Sequence, residues 1–189
     1  MAHISLSTSR LTLVAPTVDE LFAAAKNPRA LAQMMQLSES DIIDKQYYRN
    51  KRDIYQAKAE IIADNPEAFL LTTSWQIVLR DESKLHIGEC GFKGAPVNGC
   101  IELGYALKRE FWGQGYMTEA ITALCCYVFE HFADVTSIVA KVKRRNHASR
   151  AVLERCGFVH EKKWPGYMVW RLRSSGYVPL TLHPIKVPS

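Results

Sequence analysis

Two glycines stand directly before a predicted helix in the segment EFWGQGYMTE, residues 110–119. Residues 100–108 before them have the pattern of a strand, and from Thr118 onward apolar residues recur at helical spacing. Glycine lets the backbone adopt positive φ and approach a ligand closely. The unpaired N–H groups of a helix's first turn, together with the helix dipole, attract anions. The segment therefore predicts a phosphate or pyrophosphate site, and the alternative is a purely structural turn.

Two common phosphate-binding loops do not fit this segment. A Walker loop ends in Gly-Lys followed by Ser or Thr, whereas Gly115 is followed by Tyr116 and Met117. A dinucleotide fingerprint needs a third Gly or Ala where Thr118 stands, within a parallel βαβ series. The strands upstream of the glycines are instead predicted to be joined as hairpins. Both loop types are therefore excluded.

Sequence periodicity predicts an α+β fold, in which a mixed, mostly antiparallel sheet of about seven strands is flanked by helices. The helix that follows the glycines and the strands on either side of it form a central strand–helix–strand unit. The predicted strands are residues 10–15, 75–79, 85–92, 100–108, 136–143, 158–164 and 167–173. Helices are predicted over 17–26, in two or more pieces over 29–64, from about Gly115, and over 146–155.

Length and composition indicate one globular domain. The chain has 189 residues, of which 48% are hydrophobic and 23% charged. No apolar run is long enough to span a membrane, and the N-terminus lacks the apolar run of a signal peptide, so a cytoplasmic protein is expected. The five cysteines lack metal-ligand spacing, which predicts reduced thiols and no metal site.

The net charge of the chain is +5, which suits an anionic ligand.

The order ELGYALKREFWGQGYMTEA, then a helix and a strand, then RRNHASRAVLERCGF resembles the GNAT N-acetyltransferases, and more narrowly their RimJ/RimL-like branch. The resemblance covers residues 8–173. It implies a single GNAT domain over residues 1–189, with 174–189 as a C-terminal tail. It also implies acetyl-CoA as cosubstrate and, as acceptor, a primary amine on a protein N-terminus or a small molecule.

The resemblance further implies how acetyl-CoA binds. Its pantetheine arm is expected to pair with the strand before the glycines like an added strand, and its pyrophosphate to bind amides of the loop and helix start. The loop departs from the family pattern, because Trp112 replaces Arg or Gln and Met117 replaces Gly or Ala. The implied cofactor-binding residues are Tyr105, Ala106, Leu107, Gly113, Gln114, Gly115, Tyr116, Met117, Thr118, Asn146 and Ser149.

Acetyl transfer to an amine needs an uncharged amine, a stabilised oxyanion and a proton for the leaving thiolate. Glu102 is the candidate general base, acting through a water, and Glu89 on the preceding strand is the second candidate. A salt bridge or a place on the solvent face is the structural alternative for Glu102. An α-amine with a pKa of about 7.8 is neutral in roughly one of seven molecules at pH 7, so an N-terminal acceptor demands little of a base.

The proton for the thiolate has a different expected source. Many GNAT enzymes use a Tyr four residues before the Gly-Phe that follows the last helix, and Leu153 occupies that position here. RimL-like members resemble this chain in having Ser in an Asn-x-x-Ser motif, which corresponds to Ser149. Ser149 is therefore the candidate acid, and the alternative is that it only caps the helix beside Asn146.

Direct attack by the amine in a ternary complex is the expected mechanism, because no cysteine has a nearby His to activate it. A CoA-binding sensor or interaction module without catalysis stays open, since the Tyr is missing. Nucleic-acid binding through the basic run KVKRR is not expected, because no aromatic residues are interleaved with it. By analogy with the family, a monomer or a homodimer is expected.

Overall fold

A computed structural model describes residues 3–177, so the predicted tail beyond Tyr177 lies outside the described residues. The sheet comprises β1 (Ser5–Ser7), β2 (Leu11–Val14), β3 (Trp75–Leu79), β4 (His86–Phe92), β5 (Cys100–Leu107), β6 (Ser137–Lys143), β7 (Val159–Trp164) and β8 (Tyr167–Arg173). The helices are α1 (Val18–Lys26), α2 (Ala30–Met34), α3 (Lys51–Asp64), α4 (Phe69–Thr72), α5 (Tyr116–His131) and α6 (His147–Arg155). Short 3₁₀ turns occupy Pro66–Ala68, Arg109–Phe111 and Ser174–Gly176.

The strands lie in the order β1-β2-β3-β4-β5-β6-β8-β7. All neighbours are antiparallel except β5 and β6, which run parallel and are connected through α5. The predicted α+β class is thereby confirmed, and the predicted central unit is β5–α5–β6. The sheet has one strand more than predicted, because the three residues of β1 are too few to show a periodic pattern.

Helix α5 packs its apolar face against the sheet. Ile121, Leu124, Cys125 and Val128 are almost fully buried, which confirms the face predicted from their spacing. They share one core with strand residues such as Ile101. Because this face is buried along the whole helix, the N-terminus of α5 is held at a defined place beyond the end of β5.

Helices α1 and α3 form a second layer. They pack on each other through Leu21, Tyr55 and Ile62, and α1 begins with a capping box between Thr17 and Glu20. Helix α3 contacts Glu89 of β4 through Lys51 and Tyr55, whereas the next residue of β4, Cys90, packs in the core that contains the buried face of α5. Because successive side chains of a strand point to opposite faces, α3 lies on the face of the sheet opposite α5.

A buried ion pair joins α3 to β4. The Lys51 ammonium at the start of α3 contacts the Glu89 carboxylate, and the two side chains are only 3% and 8% exposed. The Tyr55 hydroxyl donates to the same carboxylate at 2.6 Å. Burial raises the pKa of Glu89, but the Lys51 ammonium and the Tyr55 hydroxyl outweigh burial and hold that pKa below its ordinary value.

Lys51→Met should lower the free energy of unfolding by about 3–5 kcal/mol, because it leaves the Glu89 carboxylate buried without its counter-ion. Urea unfolding near neutral pH measures this change. The double variant Lys51→Met, Glu89→Met is the control and should regain much of the loss. A single variant as stable as wild type, or a double variant no better than the single, would contradict this account of the pair.

The same pair sets an acid dependence. Since the folded-state pKa of Glu89 lies below its ordinary value of 4.5, the stabilisation is present above that value and is lost as the pH falls through the folded-state pKa. The stability difference between wild type and the double variant should therefore shift against wild type in acid.

Candidate functional site

Strands β5 and β6 pair over only part of their length. The parallel ladder joins residues 100–102 to residues 137–139. Beyond it β5 runs on to Leu107 while still paired with β4, and β6 runs on to Lys143 while paired with β8. Within residues 3–177 no strand fills the gap that opens between them.

The hydrogen-bond register decides which backbone groups of β5 face the gap. The Lys108 N–H donates to the carbonyl of Ile87 in β4 at 2.9 Å. In an antiparallel ladder the N–H and C=O of one residue point to the partner strand, and those of the next residue point away. The backbone groups of Tyr105 and Leu107 therefore point into the gap.

A glycine loop leads from β5 into α5. Gly113 and Gly115 have φ of 77° and 82°, a left-handed conformation that other residues adopt at a cost. Gly115 directly precedes α5, and none of the described side chains caps that helix end. The loop thus leaves the first N–H groups of a 16-residue helix free for an anion.

Arg10, on the turn between β1 and β2, braces this loop. Its guanidinium donates to the Gln114 carbonyl at 3.0 Å and to the Glu119 carboxylate at 2.7 Å, and it lies 4.6 Å from the centre of the Tyr116 ring. The role of Arg10 was not predicted from the sequence, because 104 residues separate it from Gln114. No local pattern signals a contact of that separation.

A cavity of about 500 Å³ lies between β5, the glycine loop and α6. It brings together nearly all of the predicted cofactor-binding residues. Gln114 is absent from the cavity wall, since its carbonyl accepts from Arg10 instead. The predicted residues that line the cavity are Tyr105, Ala106, Leu107, Gly113, Gly115, Tyr116, Met117, Thr118, Asn146 and Ser149.

The wall of this first cavity also contains basic and aromatic residues that were not predicted as part of the site. Trp112 is 54% exposed, and its indole N–H donates to the Leu107 carbonyl at 2.8 Å, so it occupies one acceptor on the gap side of β5. The other unpredicted side chains are cationic and come from separate parts of the chain whose proximity no local pattern shows: Arg49 before α3, Lys51 in its first turn, Arg109 in the turn after β5 and Arg155 at the end of α6. Because Lys51 is already paired with Glu89, the three arginines are the residues that make the cavity attractive to a polyanion.

The start of α6 contributes polar groups to the same cavity. Asn146 accepts from the Ser149 N–H at 3.1 Å, so the helix cap is formed by Asn146. The Ser149 hydroxyl makes no hydrogen bond to any residue between 3 and 177. The Tyr105 hydroxyl donates to the Ser149 carbonyl at 3.2 Å, and burial raises the pKa of Tyr105 to about 12.

Glu102 lies outside this cavity. Its carboxylate contacts the Lys93 ammonium at 2.5 Å and the Lys141 ammonium at 2.6 Å. Partial burial raises its pKa, but hydrogen bonds from Lys141 and Lys93 outweigh burial and lower it. The structure thus places Glu102 in the salt bridge that was the alternative to a catalytic role, on the β5 face that also carries Gly104 and Ala106.

A second cavity, of about 320 Å³, lies on the α3 side of β5. It shares Lys51, Ile54, Tyr105 and Ala106 with the first cavity, so the two cavities meet at the unpaired part of β5. Glu89, the second candidate base, lines the second cavity. Its other lining residues are Ala57, Lys58, Ile61, Ser74, Cys90, Gly91, Phe92, Lys93, Gly94 and Gly104.

The first cavity fits coenzyme A. The gap side of β5 offers backbone groups to an extended amide chain, and the open end of α5 with its neighbouring cations suits a diphosphate. The Thr118 hydroxyl, in the first turn of α5, is buried and has no partner among the described residues. Such an unpaired buried polar group is what a bound anion would satisfy.

Comparison with known sequences identifies the family. Residues 10–159 match the acetyltransferase (GNAT) domain family, and the chain belongs to this family. The uncharacterized N-acetyltransferase YjdG of Bacillus subtilis (strain 168) is 34% identical over 98 residues, which are 51% of this chain and 57% of YjdG. The FsC-acetyl coenzyme A-N(2)-transacetylase of Aspergillus fumigatus is 36% identical over 59 residues, 31% of this chain and 25% of that protein. The chain thus matches little more than half the length of YjdG and a quarter of the length of the transacetylase.

Solved structures show the same fold. The acetyltransferase of Agrobacterium tumefaciens C58 superposes with a TM-score of 0.60 at 22% identity, covering 92% of this chain and 96% of that one. The ribosomal L7/L12 α-N-protein acetyltransferase RimL in complex with coenzyme A gives 0.61 at 20% identity, covering 90% and 97%. The ribosomal-protein-S5-alanine acetyltransferase of Vibrio fischeri gives 0.61 at 18% identity, covering 93% and 99%.

Arg10→Met should weaken coenzyme A binding about fivefold or more, because it removes the contacts that hold Gln114 and Tyr116 in place. Isothermal titration with coenzyme A measures the dissociation constant. Arg52→Met, on the exposed side of α3, is the matched control and should bind as wild type does. An Arg10 variant that is folded and binds coenzyme A with unchanged affinity would show that the glycine loop does not depend on the contacts of Arg10.

Proposed function

We propose that the protein is an acetyl-CoA-dependent N-acetyltransferase that transfers acetyl to a primary amine, on a protein N-terminus or a small molecule, in a ternary complex. One observation carries the proposal. The unpaired edge of β5 ends beside the uncapped N-terminus of α5, and a cavity joins the two. Family membership supports acetyl-CoA as the cosubstrate.

Each part of the first cavity has a proposed role in holding acetyl-CoA. The backbone N–H and carbonyl of Tyr105 and the N–H of Leu107 bind the pantetheine amides, with Ala106 between them. Amides from Gly113 to Thr118, including that of Gln114, bind the pyrophosphate. Asn146 fixes the start of α6 and contacts the arm of the cosubstrate.

The reaction forms a bond from the amine nitrogen to the acetyl carbon and breaks the carbon–sulfur bond, so the departing thiolate needs a proton. Ser149 is the proposed donor. Ser149 lines the cavity, and its hydroxyl makes no hydrogen bond to any residue from 3 to 177. Leu153, fully buried, cannot take this role.

Glu102 remains the proposed general base, acting through a water. Support comes from its position on the face of β5 that lines the second cavity, where the acceptor is proposed to bind. Its two lysine partners oppose proton uptake by lowering its pKa. A weakly basic α-amine relieves this demand, because a substantial fraction of it is already neutral near pH 7.

A CoA-binding module without catalysis is the second candidate. Two observations favour it: Leu153 replaces the family's Tyr, and Glu102 is held between two lysines. Such a module would bind coenzyme A as tightly as an enzyme does but would leave the thioester intact.

Thioester consumption separates these candidates. Purified protein with acetyl-CoA and a panel of amines (an N-terminal peptide, spermidine, an aminoglycoside and free amino acids) should release free thiol in the presence of at least one acceptor. Mass spectrometry should show the matching acetylated amine. Tight binding of coenzyme A with no turnover of any amine would instead support the non-catalytic module.

Ser149→Ala should lower kcat by about a hundredfold while leaving coenzyme A affinity intact, since it removes the proton donor but not the arm-binding backbone. Ser175→Ala, at an exposed site, is the control.

Glu102→Gln should lower kcat and remove the fall in rate at acid pH, because the amide side chain cannot accept a proton as the carboxylate does. Unchanged pH–rate profiles in both variants would rule out both assignments.

A further inference from the structure

The second cavity has mainly apolar walls. Helix α3 presents Ile54, Ala57 and Ile61 along one stripe, and Phe92 lies on the sheet side. Ile54 and Ile61 are 39% and 41% exposed, unusually open for isoleucines at the mouth of a cavity. An apolar substituent seated there would cover both side chains and remove their surface from water.

The wall of the second cavity contains more positively charged side chains than negatively charged ones. Of the described residues that line the cavity, Glu89 alone carries a carboxylate, and it is already paired with Lys51. Lys93 is paired with Glu102. Lys58, alone of the lining cations, makes no ion pair with a described carboxylate, although the charge of Glu89 acts on it and raises the pKa of its ammonium.

Lys58 is bound by carbonyl groups only. Its ammonium donates to the Phe92 carbonyl at 2.7 Å, to that of Thr73 at 3.3 Å and, more closely, to that of Thr72. Burial lowers the pKa of this ammonium to about 8, so it is still mostly charged near pH 7. The wall of the second cavity therefore contains a cation that carbonyl oxygens bind but that no ion pair neutralises.

A positively charged, apolar cavity binds a neutral amine more favourably than a protonated one. It disfavours the protonated form of an entering amine, which lowers the pKa of that amine and exposes the lone pair needed for attack. A second ammonium on the same molecule cannot be neutralised in this way and is repelled. No free carboxylate in the cavity wall offsets that repulsion.

Resting on the function proposed above, we infer that the second cavity selects weakly basic amines that carry an uncharged apolar group, such as the α-amine of an apolar amino-acid residue. It rejects acceptors with a further positive charge. Polyamines, aminoglycosides and lysine-rich N-termini are therefore outside the acceptor class.

Norleucinamide and ornithinamide provide a matched test, because they have equal numbers of non-hydrogen atoms and differ only in ending with a methyl or an ammonium group. With acetyl-CoA, kcat/KM should favour norleucinamide at least about tenfold. Equal or better use of ornithinamide would overturn the inference, while the occurrence of turnover with either amine would still support the proposed function.

Ile61→Glu tests the charge argument at a surface position where folding is not at risk. The added carboxylate should raise kcat/KM for ornithinamide relative to norleucinamide, and Ile61→Gln, similar in size but uncharged, should not. Coenzyme A affinity should be the same in both variants, since Ile61 does not line the first cavity. An unchanged amine ratio in Ile61→Glu would contradict selection by charge.

Binding measured without turnover keeps the inference independent of catalysis. In the presence of coenzyme A, norleucinamide should shift the methyl NMR signals of Ile54 and Ile61, and ornithinamide at the same concentration should not. Shifts by ornithinamide alone, or by neither amine, would overturn the inference even if acetyl transfer is observed.

Discussion

The separation of β5 from β6 after Glu102 is the constraint on which the whole site depends. Because β6 continues in partnership with β8, β5 is left with unpaired backbone groups in the middle of the sheet rather than at its edge. Buried backbone groups need partners, and the gap is wide enough to border a cavity of about 500 Å³. The fold thus creates a slot that an extended, amide-bearing ligand completes. Helix α5, fixed by its buried face, brings its open N-terminus to the end of that slot.

Charge divides the two sides of β5 in a way that suits two different ligands. The first cavity combines a helix N-terminus with Arg109 and Arg155, and so attracts a polyanion. The second cavity is apolar and keeps the unpaired charge of Lys58. Both cavities open onto Tyr105 and Ala106. A ligand from each side would therefore meet at the same short stretch of strand, which is the geometry that a direct transfer requires.

Local patterns predicted the elements and the first cavity well, because both depend on contiguous residues. Strands β3 and β8 begin and end where their alternation predicted, and the glycine loop, its helix and Asn146 line one cavity. What the sequence could not show is long-range. The brace from Arg10 and the pairing of Lys51 with Glu89 depend on how distant elements pack. Glu102 illustrates the limit: its strand was predicted, but its lysine partners come from β6 and the turn after β4.

Amide hydrogen exchange with and without coenzyme A tests the central claim most directly, because it reports on the backbone groups that the gap leaves unpaired. Coenzyme A should slow exchange at Tyr105 and Leu107 and at the amides from Tyr116 to Thr118. Exchange along β7, at the far edge of the sheet, should not change. Protection that appears elsewhere, or none at β5 and the start of α5 when coenzyme A is bound, would contradict the account.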